Sequence, residues 1–160
     1  MNLDAVVTQG RVPWSPSADA VDLDVWYEYE YPRIGTFRTK EYTVLFAAVG
    51  GFETRASVWA YACLKPEEAR AFNALTFDAL PDLRQFIEKE FTDRPLVLAL
   101  ADDLVIKNWA VTEAPGPLYE VATAFLEGVM AETRCRQDSA TKFRATLAQV
   151  DVATHELIES

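Results

Sequence analysis

The chain has 160 residues, half of them apolar, with 15 Lys and Arg against 25 Asp and Glu for a net charge of −10. This length suits one domain with a core, the 12% aromatic content excludes a disordered chain, and the negative charge disfavours direct nucleic-acid binding. One histidine, His155, and two cysteines, Cys63 and Cys135, exclude most Ser-His-Asp, Cys-His and zinc chemistry, since a Cys/His zinc site would have to use all three.

Residues 1–17 read as an N-terminal arm. Pro13 and Pro16 deny it a continuous ladder, and Trp14 is placed to pin it to the body. Residues 18–160 read as one α+β domain. Its first element is the alternating run Val21 to Tyr31, with Val21, Leu23, Val25, Tyr27, Tyr29 and Tyr31 on one face and Asp22, Asp24, Trp26, Glu28 and Glu30 on the other. Such alternation predicts a half-buried strand, ended by Pro32.

Glu41–Val49 and Ala56–Leu64 are apolar on both faces and read as central strands joined through a Gly50-Gly51 turn. Lys65-Pro66-Glu67-Glu68 opens a helix, because proline suits the first helical position and carboxylates suit the positive dipole end. A second helix over about 81–91 carries the stripe Leu83, Phe86, Ile87 and Phe91. Leu96–Ala101 and Leu104–Val111 read as a hairpin turning at Asp102-Asp103.

Residues 117–160 read as the helical C-terminal part. Val121, Ala122, Phe125, Leu126, Val129 and Met130 keep helical spacing to about Arg136, and a weaker pattern follows a break near Asp138-Ser139. The expected fold is therefore α+β, a mostly antiparallel sheet of about five strands with helices packed on one face and a C-terminal helical segment. No basic leader precedes an apolar run at the N-terminus, and no apolar stretch is long enough to span a bilayer. The expectation is a cytoplasmic protein without membrane contact, with free thiols. Cys63 reads as a small core residue and Cys135 as an unremarkable helix position.

Several constellations bear on function. The ladder Asp22, Asp24, Glu28 and Glu30, joined by Glu41, is the one dense carboxylate cluster, and Asp22, Asp24 and Glu41 offer a site for Mg²⁺ or Mn²⁺ in a metal-dependent hydrolase or nuclease. No lysine is poised beside these acids, because Lys40 alternates to the face opposite Glu41. Asp102-Asp103 with Lys107 reads as a turn, since Val105 occupies the position where nuclease chemistry needs a carboxylate. Neither Gly-x-x-x-x-Gly-Lys-Ser/Thr nor Gly-x-Gly-x-x-Gly occurs. Trp26 among carboxylates has the composition of an interface anchor, or of a covered core residue. A small-ligand pocket lined by Tyr27, Tyr29, Phe46 and Trp59 is a further alternative.

The runs Val25-Trp-Tyr-Glu-Tyr-Glu-Tyr-Pro-Arg, Tyr42-Thr-Val-Leu-Phe and Val58-Trp-Ala-Tyr-Ala-Cys-Leu-Lys-Pro-Glu-Glu follow in that order. Over about residues 20–90 the chain resembles a group of small bacterial α+β domains of unknown function. That resemblance implies an α+β fold and a bacterial source, and brings no catalytic residues. The leading expectation is a non-enzymatic acidic interaction module, needing neither cofactor nor metal. It would bind a protein, basic in the leading form of the reading, or a second copy of itself, through Asp22, Asp24, Trp26, Glu28 and Glu30.

Overall fold

The computed structural model of the chain describes residues 3–51, 55–77, 79–112 and 116–132. Cys135, His155, the break near Asp138-Ser139 and the rest of the expected helical tail beyond Glu132 lie outside the described residues.

The stretches that are apolar at nearly every position become the middle of a sheet. These are β3 (Thr43–Gly51), β4 (Ala56–Leu64) and β5 (Leu96–Asp102). They are flanked by β1 (Val21–Tyr29) and β2 (Tyr31–Arg38) on one side and β6 (Val105–Thr112) on the other. The six strands lie in sequence order, and every neighbouring pair is antiparallel. Between β4 and β5 come α1 (Pro66–Asn73) and α2 (Leu80–Phe91), and α3 (Leu118–Glu132) follows β6.

Successive strand residues point to opposite faces, so β3 feeds two cores. Leu45, Ala47 and Val49 pack with Phe72 of α1, Leu83, Ile87 and Phe91 of α2, and Leu118, Ala122 and Leu126 of α3. Val44, Phe46 and Ala48 pack instead with Leu3, Val6 and Val7 from the N-terminal arm, which opens with a short 3-10 helix, Leu3–Val6. The arm is fastened at several points. Gly10 N–H donates to the Ile106 carbonyl and Ile106 N–H to that of Arg11, both at 2.9 Å. The buried Tyr61 hydroxyl donates to the Pro13 carbonyl at 2.7 Å, and Trp14 stacks on Tyr31 with ring centres 5.5 Å apart. Asp19 ties the arm to the β2–β3 turn, accepting from the Ser17 hydroxyl at 2.8 Å and the Lys40 amide at 3.3 Å.

The expected count of about five strands is corrected to six. The strand missed is β2, because Pro32 reads in sequence as the end of the first strand. Pro32 precedes Ile34, where pairing to β3 begins, so its missing N–H removes no bond from that ladder. Gly35 is required by close approach: a Cβ there would overlap the Asp24 carbonyl oxygen and lie 3.2 Å from the Val25 Cα. The first strand correspondingly ends at Tyr29 rather than Tyr31, and Glu30, at φ 66°, makes the reversal. Gly50 and Gly51 lie inside β3 opposite Val58 and Ser57, past a register shift after Ala48, and are not the turn. The β5–β6 turn falls one residue later than expected, at Asp103-Leu104, with φ of 52° and 62°. Two left-handed residues in succession give the twist a two-residue hairpin favours, here without glycine.

Replacing Gly35 with Ala should lower the urea unfolding free energy by about 1–3 kcal/mol, because backbone must move to admit the methyl. Gly128→Ala in α3, where an added Cβ meets nothing within 4 Å, should instead raise it by up to about 1 kcal/mol. Hydrogen bonds from the Ser17 hydroxyl and then the Lys40 amide hold the Asp19 carboxyl below its ordinary range. A carboxylate depressed in the folded state stabilises above its unfolded pKa, and that contribution disappears as pH falls through the folded value. Urea titrations from pH 6 down to the acid limb should therefore show Asp19→Ala less stable than the parent at neutral pH, with the difference closing in acid.

Candidate partner-binding surface

β1 is one of the two outermost strands, and its backbone departs from a regular ladder. Val21 pairs with Arg38 and Asp24 with Thr36, so three steps along β1 match two along β2. Val25 pairs with Gly35 and Tyr27 with Ile34, which inserts a second extra residue, Trp26. Asp22 sits in the first of these bulges at φ 56°, a left-handed conformation that Asp tolerates better than most residues. A one-residue insertion reverses which face the following side chains occupy.

The register accordingly sets Val21 on the face of Asp24 and leaves Val25 and Tyr29 together on the other, and the expected burial of the apolar face is overturned because nothing among the described residues covers these side chains at the sheet edge. Val21, Leu23, Val25 and Tyr29 are 52, 43, 37 and 58% exposed. Apart from Leu75, they are all of the exposed large hydrophobic residues among the described residues. Only Tyr27 of that set on β1 reaches the cores, and it is half-buried.

Trp26 turns toward the helices. Its ring centre lies 5.9 Å from those of both Phe77 and Phe86, and Phe86 in turn packs edge-on against Phe72 at 5.0 Å. The indole N–H donates to Asp24 Oδ2 at 3.3 Å. Trp26 is thus half-buried packing for the helix layer, and only its rim adjoins the surface.

The four acids are all exposed, and they differ in their partners. Asp22 forms an ion pair with Arg38, the residue opposite Val21. Glu30 lies 3.9 Å from the Arg33 guanidinium, which covers the Tyr31 ring at 3.9 Å and donates from Nε to the Tyr29 carbonyl at 2.9 Å. Among the described residues no ion pair involves Asp24 or Glu28. The surface therefore offers apolar side chains interleaved with carboxylates, two of them without a cation, beside the main-chain edge of an outer strand.

The other constellations are dispersed. Glu41 is exposed in the turn after β2, Asp22 is held by Arg38, and no group of three or more His, Cys, Asp or Glu gathers to hold a metal ion among the described residues. Phe46 and Trp59 are fully buried in the cluster beneath the arm, against which Tyr27 packs, while Tyr29 is exposed, so the four do not line one pocket. A cleft of about 390 Å³ opens elsewhere, between β5–β6 and α3, lined by Leu98, Ala110, Thr112, Glu120, Val121 and Phe125. Asp103 forms the turn assigned to it and lies 3.5 Å from Arg55 across the neighbouring hairpin end. Cys63 is half-buried, and burial pushes its thiol up to about 11, which leaves it protonated at neutral pH.

What this geometry defines is a class: an α+β protein with an open six-stranded antiparallel sheet and an apolar, acidic outer strand. No protein-family model matches the chain, and comparison with curated proteins and with solved structures finds no match either. Among the described residues no helix is long and apolar enough to cross a membrane.

Truncating Trp26 to Ala should cost about 2 kcal/mol in a denaturant melt, below the figure for a fully buried tryptophan because part of the ring is already hydrated. Glu28→Lys, on the exposed side of the same strand, should stay within about 0.5 kcal/mol of the parent. A Trp26 variant thus reports on packing as much as on any partner.

Proposed function

We propose that this protein is a non-enzymatic acidic interaction module that binds a protein partner along β1. The observation that carries the reading is the concentration of exposed apolar side chains, Val21, Leu23, Val25 and Tyr29, on one outer strand. Scattered surface hydrophobics need no explanation, but several on one edge strand expose the protein to aggregation and persist where something covers them. Asp24 and Glu28 rim that set, and carboxylates without cation partners favour a basic molecule as the cover. The net charge of −10 supports the same sign of partner through long-range attraction. The proposed site keeps Asp22, Asp24, Glu28 and Glu30 from the sequence reading, gains the apolar set, and reduces Trp26 to a rim contact.

A triple variant, Val21→Ser, Leu23→Ser and Val25→Ser, tests the reading without changing charge. These side chains are already substantially hydrated, so the melting temperature should move by only a few degrees. Capture of protein partners from the host lysate should fall by about tenfold or more, because the hydrophobic part of the contact is gone. Undiminished capture of every partner by a folded triple variant overturns the proposal.

A further inference from the structure

The proposed partner surface lies on a strand that, among the described residues, has a neighbouring strand on one side only, and the two edges of this sheet are treated differently. At the β6 edge the arm pairs with Ile106 through two main-chain hydrogen bonds, and Lys107 is exposed next to it. Covering an edge and placing lysine on it are two standard ways in which sheets avoid unwanted pairing. At the β1 edge the sheet ends with no covering strand among the described residues, and the side chains there are apolar and acidic.

Resting on the reading above, we infer that β1 takes an extended segment of its partner as a seventh strand, and that this segment alternates apolar with basic residues. Main-chain hydrogen bonds supply affinity in this mode, and the alternate side chains supply selectivity. Leu23, Val25 and Tyr29 share one face of the strand and offer apolar contacts to one set of incoming side chains. Asp24 and Glu28, which form no ion pair among the described residues, offer carboxylates to lysine or arginine at cross-strand distance.

A second copy of the chain fits this edge poorly. Antiparallel self-pairing centred on Val25 sets Asp22 opposite Glu28. Centring on Asp24 sets that residue against itself, and centring on Trp26 sets Asp24 opposite Glu28 and Asp22 opposite Glu30. Like charges directly opposite one another destabilise a strand pair. The extra residues at Asp22–Leu23 and at Trp26 add a second obstacle, since two rigid bulged edges have to be aligned at once. A flexible segment can bulge or fray to follow β1, which a folded copy of the same strand cannot.

The experiment uses the full chain and synthetic ten-residue peptides of alternating Lys and Val, read by fluorescence anisotropy. One peptide is unmodified, and one is N-methylated at alternate amides. A third is methylated at the intervening amides, and a fourth is a scrambled isomer of equal composition. Only one of the two methylation patterns blocks the hydrogen bonds to β1, so one should weaken binding by about tenfold or more and the other by much less. The scrambled isomer and the Val21→Ser, Leu23→Ser, Val25→Ser variant should both bind far more weakly than the matched pair.

Equal binding by both methylated peptides or by the scrambled isomer overturns strand addition in favour of a charge-driven or side-chain contact, and leaves the interaction-module reading standing. Failure of every peptide overturns the inference as well. If the chain then sediments as a dimer that Leu23→Lys dissociates, a second copy is the occupant. The parent reading itself falls only when the serine variant retains all its partners.

Discussion

A sheet whose three middle strands are apolar on both faces has to be covered twice, and most of this architecture follows from that requirement. Val44, Phe46, Trp59, Tyr61, Val97 and Ala99 line one face, and Leu45, Ala47, Val58, Ala60, Leu96 and Leu98 line the other. Burying a large side chain of this kind contributes about 1.5–3 kcal/mol, so leaving either face in water would cost more than the net stability of a domain. Side chains of α1, α2 and α3 join the cluster on one of these faces. No further α-helix among the described residues serves the other, and the arm does that work with Leu3, Val6, Val7 and Trp14. Because proline-rich backbone cannot form a long ladder, the arm is held by single tethers instead: the Tyr61 hydroxyl, the Ile106 main chain, and Asp19 at the β2–β3 turn.

The same requirement decides what is left outside. The arm and helices converge on the middle of the sheet, and β1 is the strand they reach least. Its first extra residue sets Val21 on the face opposite Val25, the other exposed apolar side chains lie where the sheet is uncovered, and Gly35 makes room for the displaced Asp24 carbonyl. Trp26 is drawn toward the helix layer, where Phe77 and Phe86 receive it. The result is an edge that combines exposed apolar surface with negative charge, a pairing that suits association with a basic extended chain better than association with itself.

Ion pairs contribute little to this picture. Arg38–Asp22 and Arg55–Asp103 are solvent-exposed, and such pairs are worth at most about 1 kcal/mol each. The more sheltered group is Arg94, which lies 2.9 Å from Glu68 and 3.3 Å from Glu90 and so links α1 to the end of α2. Burial opposes the charge on Glu68, but the Lys65 amide and Arg94 outweigh it and hold its carboxyl below the usual range. Charge on this protein therefore bears on recognition and on local fastening, while the fold itself rests on its two apolar layers.

Much of the fold was legible from residue types alone. Unbroken apolar runs marked β3, β4 and β5 as central, Pro66 with two glutamates marked the start of α1, and the spacing of Leu83, Ile87 and Phe91 marked the buried stripe of α2. The identity of β2 was not legible, because proline and glycine carry the same local signal in a turn as in a strand whose neighbours accommodate them. The surface of β1 was only half legible. Its carboxylates were visible, but alternation marks Val21, Leu23 and Val25 as one apolar row without saying whether anything covers it, and both cover and bulges depend on how distant strands meet. Composition and local periodicity by themselves determined an acidic α+β chain with a large core. Which strand became an edge, and which apolar residues stayed in water, were decided only when distant segments competed to cover the same sheet.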